Sequence, residues 1–422
     1  MPESVTSRPQ STARPRNLRL PVAVFLVGII TLAFNLRTAI TSLPPLFPEL
    51  ATQLHLSPAG ISLLAATPVL CFAAFSGSGA PLSRWFGEER VLQAALVLLA
   101  AGLVLRGAAP DLLLFPGTVL ASAAIALMNV LLPSLIKRRD PARAGWLIGI
   151  YLLSMSAGAI LASLLAVPMF SASGGSVPLA LAVWALPAAV GTVVWLPQLR
   201  FRTTPASQAA LRPGSEGRPG GEGRPGGQPR LKVTRYPLTW QVMAFMGLQS
   251  LVYYAALSWL PTLFRDRGVS AVQAGTLLAL MQLGGAGTSL LVPALAQRIR
   301  DQRWLTGVVV AVSAVGLAGC GFAPVAGAVG WVLVLGAGQG AALGLAIYFT
   351  MARAPDPMAA ASLSAFTQGA GYLVASAGPL MVGFLHTATG GWAIPAGALL
   401  VVQGGQFAAG ILAARPRVLG AG

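Results

Sequence analysis

Apolar runs separated by short stretches of Gly, Pro, Ser and charge recur along the whole chain. Twelve are long enough to cross a membrane, since about 20 helical residues at 1.5 Å rise span the hydrocarbon. Six lie at about 21–47, 60–82, 90–107, 111–136, 143–169 and 176–197, and six more at about 238–264, 271–296, 303–323, 326–352, 358–386 and 392–414. The third run is the shortest, and the arginines that flank it, Arg90 and Arg106, are expected to snorkel to opposite interfaces. The pattern predicts an all-α membrane protein with 12 transmembrane helices. Between the two sets lies 198–236, where GSEGRPGGEGRPGGQPR repeats Gly-Arg-Pro-Gly-Gly and holds too little apolar surface to fold. The expected organisation is an N-tail (1–20), a six-helix bundle (21–197), a disordered linker (198–236), a second six-helix bundle (237–414) and a C-tail (415–422).

The two sets repeat one another. Leu43-Pro44-Pro45-Leu46-Phe47 matches Leu260-Pro261-Thr262-Leu263-Phe264, Pro81 to Leu92 matches Ala294 to Leu305, and Lys137 to Pro141 matches Arg353 to Pro357. The offsets are all 213–217 residues, a parallel repeat on the scale of half the chain. The repeat predicts two pseudo-symmetric bundles with a site between them near the midplane. Ser57-Pro58, Asp140-Pro141 and Asp356-Pro357 read as N-caps with proline at the first helical position, opening helices 2, 5 and 11.

Composition agrees: 55% of the 422 residues are hydrophobic and only 9% are charged, against about 25% in a soluble protein. The net charge of +17 changes the picture only through its placement. Basic residues stand singly between apolar runs without a basic–aromatic module, so nucleic acid is not an expected partner. With the N-terminus in the cytoplasm, 24 of the 28 Lys and Arg fall in cytoplasmic segments, as the positive-inside rule requires. The expected location is the cytoplasmic (inner) membrane, with both termini on the cytoplasmic side. Cys71 and Cys320 lie within apolar runs as packing residues, and His55 and His386 lie near the outer surface, so no metal site, cofactor or disulfide is expected.

One basic residue resists this placement. Arg37 lies in the middle of the first long run, where an arginine costs roughly 2.5–3.5 kcal/mol on insertion scales. Such a residue faces a water-filled cavity or a partner, and no midspan carboxylate is present to pair with it.

Twelve helices, parallel halves and a basic central loop resemble the major facilitator superfamily. Phe34-Asn35-Leu36-Arg37 with Thr41-Ser42, Asn129 to Lys137, Gly247-Leu248-Gln249-Ser250-Leu251 with Trp259-Leu260-Pro261, and Gln368-Gly369-Ala370-Gly371-Tyr372 with Gly378-Pro379 are similar to its cyanate permease and 2-nitroimidazole transporter family. The resemblance implies the major facilitator fold, with helices 1, 4, 7 and 10 lining a cavity and 2, 5, 8 and 11 rocking between the halves. On that layout the substrate-binding candidates are Arg37, Asn35, Asn129, Gln249, Tyr253, Gln339, Tyr348, Gln368 and Tyr372, with Tyr254 beside them. A guanidinium surrounded by amides and phenols suits a small planar anion, or the nitro group of a nitroaromatic stacked on tyrosine. The superfamily's loop after helix 2 is altered here: Arg84 stands where the acid is expected, leaving Arg84, Glu88, Glu89 and Arg90, with Asp140 and Asp356, as gating candidates on an exposed surface. Trp259 is expected to be an interface aromatic.

The expectation is a transporter, secondary active or facilitative, moving a cyanate-like anion or nitroimidazole-like solute by alternating access, monomeric in the bilayer. Proton symport stays open beside facilitation or exchange, because no Asp or Glu lies midspan. The alternative is a multidrug or other small-solute efflux pump. Nitrate transport is disfavoured for want of a second midspan arginine. An enzyme is disfavoured for want of a nucleophile–base set, and a solute sensor for want of an output domain.

Overall fold

The computed structural model describes residues 22–200 and 232–420, so the N-tail and most of the linker lie outside the described residues. The first half forms α1 (Val22–Thr41), α2 (Pro58–Phe75), α3 (Glu88–Ala108), α4 (Pro110–Arg139), α5 (Ala144–Ala172) and α6 (Val177–Arg200). The second half forms α7 (Pro237–Asp266), α8 (Ala271–Ala296), α9 (Arg303–Phe322), α10 (Ala328–Ala352), α11 (Pro357–Thr389) and α12 (Ala393–Ala413). Eleven of these segments are long and apolar enough to span a membrane on their own. The twelfth, α11, is 33 residues long and packs lengthwise against α7 and α2. All regular structure among the described residues is helical.

Packing follows the repeat seen in the sequence. Within the first half α1 packs on α5 and α6, α3 on α4 and α6, and α2 on α4. The second half has the same pairs displaced by six: α7 on α11 and α12, α9 on α10 and α12, and α8 on α10. The halves meet through α5 against α8 and α2 against α11, and these two contacts are images of each other under the same operation. Small residues permit the close crossings. A Cβ on Gly158 of α5 would run into the Phe34 carbonyl of α1, and one on Gly383 of α11 would overlap the Ser62 hydroxyl of α2.

The repeat is broken where the local chemistry differs. Pro44-Pro45 removes two consecutive N–H donors, so α1 stops at Thr41 and continues as a 3-10 turn (Pro44–Leu46) and a short helix (Phe47–Gln53). The matching stretch of α7 has a single proline, Pro261, and runs unbroken to Asp266. The expected caps also divide. Ser57 accepts from Gly60 N–H at 3.1 Å, and Asp356 accepts from Met358 and Ala359 N–H at 2.9 and 2.8 Å. Asp140 does not cap α5: its carboxylate takes the Arg143 N–H at 3.1 Å within a turn, and α5 begins one residue later at Ala144.

Three further placements correct the sequence reading. Arg106 does not snorkel outward. It is 1% exposed and donates to the Ala39 carbonyl at 3.0 Å, one of the carbonyls that the end of α1 leaves without a helical partner. Its guanidinium thus sits at the negative end of two helix dipoles, α1 and α3. Trp259 is not an interface aromatic: it is buried, donates from Nε1 to the Pro379 carbonyl at 2.9 Å, and meets Phe47 edge-on with centroids 6.1 Å apart. Glu88 and Glu89 are buried rather than on an exposed surface, while Arg84 and Arg90 are exposed. Glu88 pairs with Arg138 of α4 and accepts from Ser134 at 3.0 Å, so its partners lie within its own half.

Candidate functional site: a cavity between the halves

The α1 helix carries Arg37 to the plane where the halves meet. There it borders a cavity of about 120 Å³, walled by Leu152 to Ala159 of α5, Tyr253 of α7, Met281 to Ser289 of α8 and Gly336 to Ile347 of α10. Gly285, Gly336, Gly340 and Gly344 border the space where α8 and α10 cross at backbone distance, and Met155 and Met281 add flexible apolar surface. The cavity extends along the halves of α5, α8 and α10 nearest the termini and the linker.

On the opposite side the halves are closed. Arg265 at the end of α7 bonds both oxygens of Glu49 at 2.8 Å and approaches the Pro45 carbonyl at 3.4 Å. The Phe47–Trp259 contact lies beside this bridge. A side chain at Gly275 would strike the Ser163 carbonyl, so α8 and α5 also touch here at backbone distance. The molecule is shut at this face and hollow towards the other.

Arg37 has no acidic partner among the described residues, and its Nη1 is buried without a hydrogen-bond acceptor. Four phenols stand around it: Tyr253, Tyr254, Tyr372 and Tyr151. The guanidinium lies over the Tyr253 ring at 5.7 Å. The rings brace each other edge to face, with Tyr253–Tyr254 centroids 5.1 Å apart, Phe72–Tyr372 5.6 Å and Tyr254–Tyr372 6.4 Å. Tyr253 donates to Gln282 of α8 at 3.1 Å.

Among the residues expected at the site, Arg37, Tyr253, Tyr372 and Gln339 are brought together, with Tyr254. Asn129 joins at one remove, accepting from Tyr151 at 3.4 Å. Gln249 lies behind Gln339: it donates to the Gln339 side chain at 3.2 Å, and Gln339 donates to Ser313 at 2.8 Å, where Gln403 also donates at 2.6 Å. This chain of amides ties α7, α10, α9 and α12 together. Asn35 lies elsewhere, donating to Thr31 and to the Pro187 carbonyl of α6. Tyr348 lies tilted against the Phe349 ring near Arg353, Gln368 bonds Ser364, and neither borders the cavity. Gln282, Met155, Ser156 and Ser289 on the cavity wall, and Tyr151 beside Arg37, go beyond the expected set, because the expectation for α5 and α8 is sliding rather than lining the space.

A family model described as Major Facilitator Superfamily matches residues 26–379. The chain belongs to that superfamily. Among curated relatives, it is 37% identical over 372 residues to the 2-nitroimidazole transporter of Escherichia coli (strain K12), covering 88% of this chain and 90% of that one. It is 29% identical over 368 residues to the cyanate transport protein CynX of the same organism, covering 87% of this chain and 91% of that one. The crystal structure of the nucleoside transporter NupG (D323A mutant) superposes with a TM-score of 0.70 at 13% identity, covering 91% of this chain and 98% of that one, which is a likeness of fold. This major facilitator protein is a membrane transporter of small solutes, and its two pseudo-symmetric six-helix bundles are the superfamily's architecture.

Proposed function

We propose that this transporter carries a small solute bearing a negative charge, or a strongly electron-rich group, across the inner membrane by alternating access, with Arg37 as its central anchor. The observation that supports this reading is the unpartnered Arg37 Nη1 at a cavity between the halves, with no carboxylate among the described residues to neutralise it. A buried charge left unpaired is costly, so a cargo that supplies the missing charge binds where the protein alone is frustrated. The relatives named for cyanate and 2-nitroimidazole fit this class of cargo.

With both termini in the cytoplasm, the hollow side is the inward one and the Glu49–Arg265 face is the outer one. Large amphipathic drugs are disfavoured by a cavity of about 120 Å³. The test is uptake into proteoliposomes of radiolabelled cyanate and 2-nitroimidazole by the wild type and by Arg37→Gln. Loss of uptake with retained folding is the expected result. Unchanged transport by the variant overturns the assignment.

A further inference from the structure

Resting on that reading, we propose that Gln282 of α8 is a second cargo-binding residue. Its Nε2 donates to the solute that Arg37 anchors, so a cargo with two acceptor atoms is hydrogen-bonded to both halves at once.

Among the described residues, four polar side chains of the second half border the cavity: Tyr253, Gln282, Ser289 and Gln339. Three of them are spent within the protein. The Tyr253 hydroxyl donates to Gln282 Oε1 at 3.1 Å, and the Ser289 hydroxyl donates to the Ala286 carbonyl at 2.9 Å. Gln339 is 1% exposed, its amide nitrogen donating to Ser313 at 2.8 Å and its carbonyl oxygen accepting from Gln249 at 3.2 Å. That leaves Gln282 Nε2. It has no acceptor among the described residues, and although the residue is only 9% exposed, this nitrogen is not sealed from the space beside it.

Tyr253 decides which end of the amide is free. A carboxamide can turn either its oxygen or its nitrogen towards a phenol. A phenolic hydrogen without an acceptor is costly in a low-dielectric interior, and among the described residues its acceptor is Gln282 Oε1. The oxygen is thereby held on Tyr253, and the nitrogen keeps its hydrogens for another partner.

The same tyrosine brings the two free donors close. The Arg37 guanidinium carbon lies 5.7 Å from the Tyr253 ring centroid, and the hydroxyl end of that ring touches Gln282. Arg37 Nη1 and Gln282 Nε2 thus border one cavity of about 120 Å³, both without an acceptor among the described residues. One is charged and the other neutral. The pair suits a single negative charge, or one electron-rich group, shared over two acceptor atoms.

The placement also bears on transport. Arg37 moves with the first half, and Gln282 moves with the second. Hydrogen bonds weaken steeply once their distance or angle departs from the optimum. A cargo bonded to both residues therefore has an affinity that depends on how the halves are set, which is what lets a ligand shift a conformational equilibrium.

The experiment uses the full-length protein in nanodiscs and three probes with at least two acceptor atoms each: cyanate, formate and 2-nitroimidazole. Binding is measured by calorimetry, and the folding of every variant by size exclusion. Arg37→Gln is expected to weaken the bound probe by tenfold or more. Gln282→Met, similar in length but without polar hydrogens, is expected to weaken it about tenfold, the effect of losing one hydrogen bond to a charged acceptor. The same loss is expected when Gln282→Met is placed in a Tyr253→Phe background, where no phenolic hydroxyl needs an acceptor. Gln282→Glu keeps an oxygen for Tyr253 but replaces the donor by a negative charge, and is expected to weaken binding further than Gln282→Met does.

A loss that disappears in the Tyr253→Phe background overturns the inference, because Gln282 then serves only as the acceptor of Tyr253. Unchanged binding by Gln282→Met, or a probe held as tightly by Gln282→Glu as by the wild type, overturns it as well. In each of these cases binding that still depends on Arg37 leaves the proposed function standing. No Arg37-dependent binding of any of the three probes sinks both.

Discussion

The outer closure should be measurable through one ion pair. Arg265 is the only described basic side chain that bonds an acid across the two halves, contacting both Glu49 oxygens at 2.8 Å. A net charge-assisted hydrogen bond contributes about 1.5–3 kcal/mol, and screening at a site whose two side chains are 23% and 16% exposed reduces this to about 1–2 kcal/mol. The pair exists only while this face is shut, so its loss acts on the open–closed equilibrium. At 1.4 kcal/mol per decade, Arg265→Gln should lower the ratio of outer-closed to outer-open molecules about 5- to 30-fold. Phe47, Trp259 and the Gly275 contact still favour closure, so the shift is partial. Dye-labelled cysteines at the exposed positions Thr52 and Thr389 report the gap by single-molecule energy transfer, and the native Cys71 and Cys320 are buried. Glu49→Gln should shift the distances as Arg265→Gln does, and the swap Glu49→Arg with Arg265→Glu should restore them. An unchanged distance distribution in both single variants refutes the latch.

Three other outcomes test the fold. Asp356→Ala removes a cap with two bonds and should cost about 1 kcal/mol, lowering Tm by about 1–2 °C, whereas Asp140→Ala should cost measurably less because its single bond closes a turn; parallel thermal-shift curves decide this. Glu88→Leu leaves Arg138 and Ser134 without their acceptor and should destabilise by about 2–3 kcal/mol, with Glu88→Gln milder because it keeps the Ser134 bond; a Tm for Leu at or above that of Gln contradicts the pairing. Gly158→Leu forces a side chain into the Phe34 carbonyl and should reduce the monodisperse yield in fluorescence-detected size exclusion, while Gly149→Leu, which meets open space, should not.

The spans, their repeat and the central arginine were legible because each is a local property of the chain: length of an apolar run, offset between like segments, one charge out of place. What failed was angular or tertiary. Asn35 and Arg37 are two residues apart, about 200° around a helix, so the step that aims Arg37 into the cavity turns Asn35 onto α6. Gln339 and Tyr348 are nine apart, which puts them on opposite faces of α10 and leaves only Gln339 at the cavity. Gln249 and Tyr253 share a face by their spacing of four, yet Gln339 stands between Gln249 and the space. Arg106 reads as a snorkelling residue from its position alone. Its burial depends on the α1 break at Pro44-Pro45, which leaves Ala39 a free carbonyl.

The residues missed altogether share one cause. Ser156, Gln282 and Ser289 sit on α5 and α8, the pair through which the halves touch, where the expectation is a contact surface rather than a binding wall. The two roles are compatible because the crossing is made by Gly275 and Ser163 at the shut end and spreads around Gln282 and Ser289 at the hollow end. A cargo held there lies directly on the surface that must slide. Its contacts with α5 and α8 therefore change as the halves rock, whereas contacts confined to α1 or α7 would move rigidly with one half. Differential binding between states is what allows a ligand to shift an equilibrium, so the helices nearest the motion are where cargo recognition has most leverage on transport.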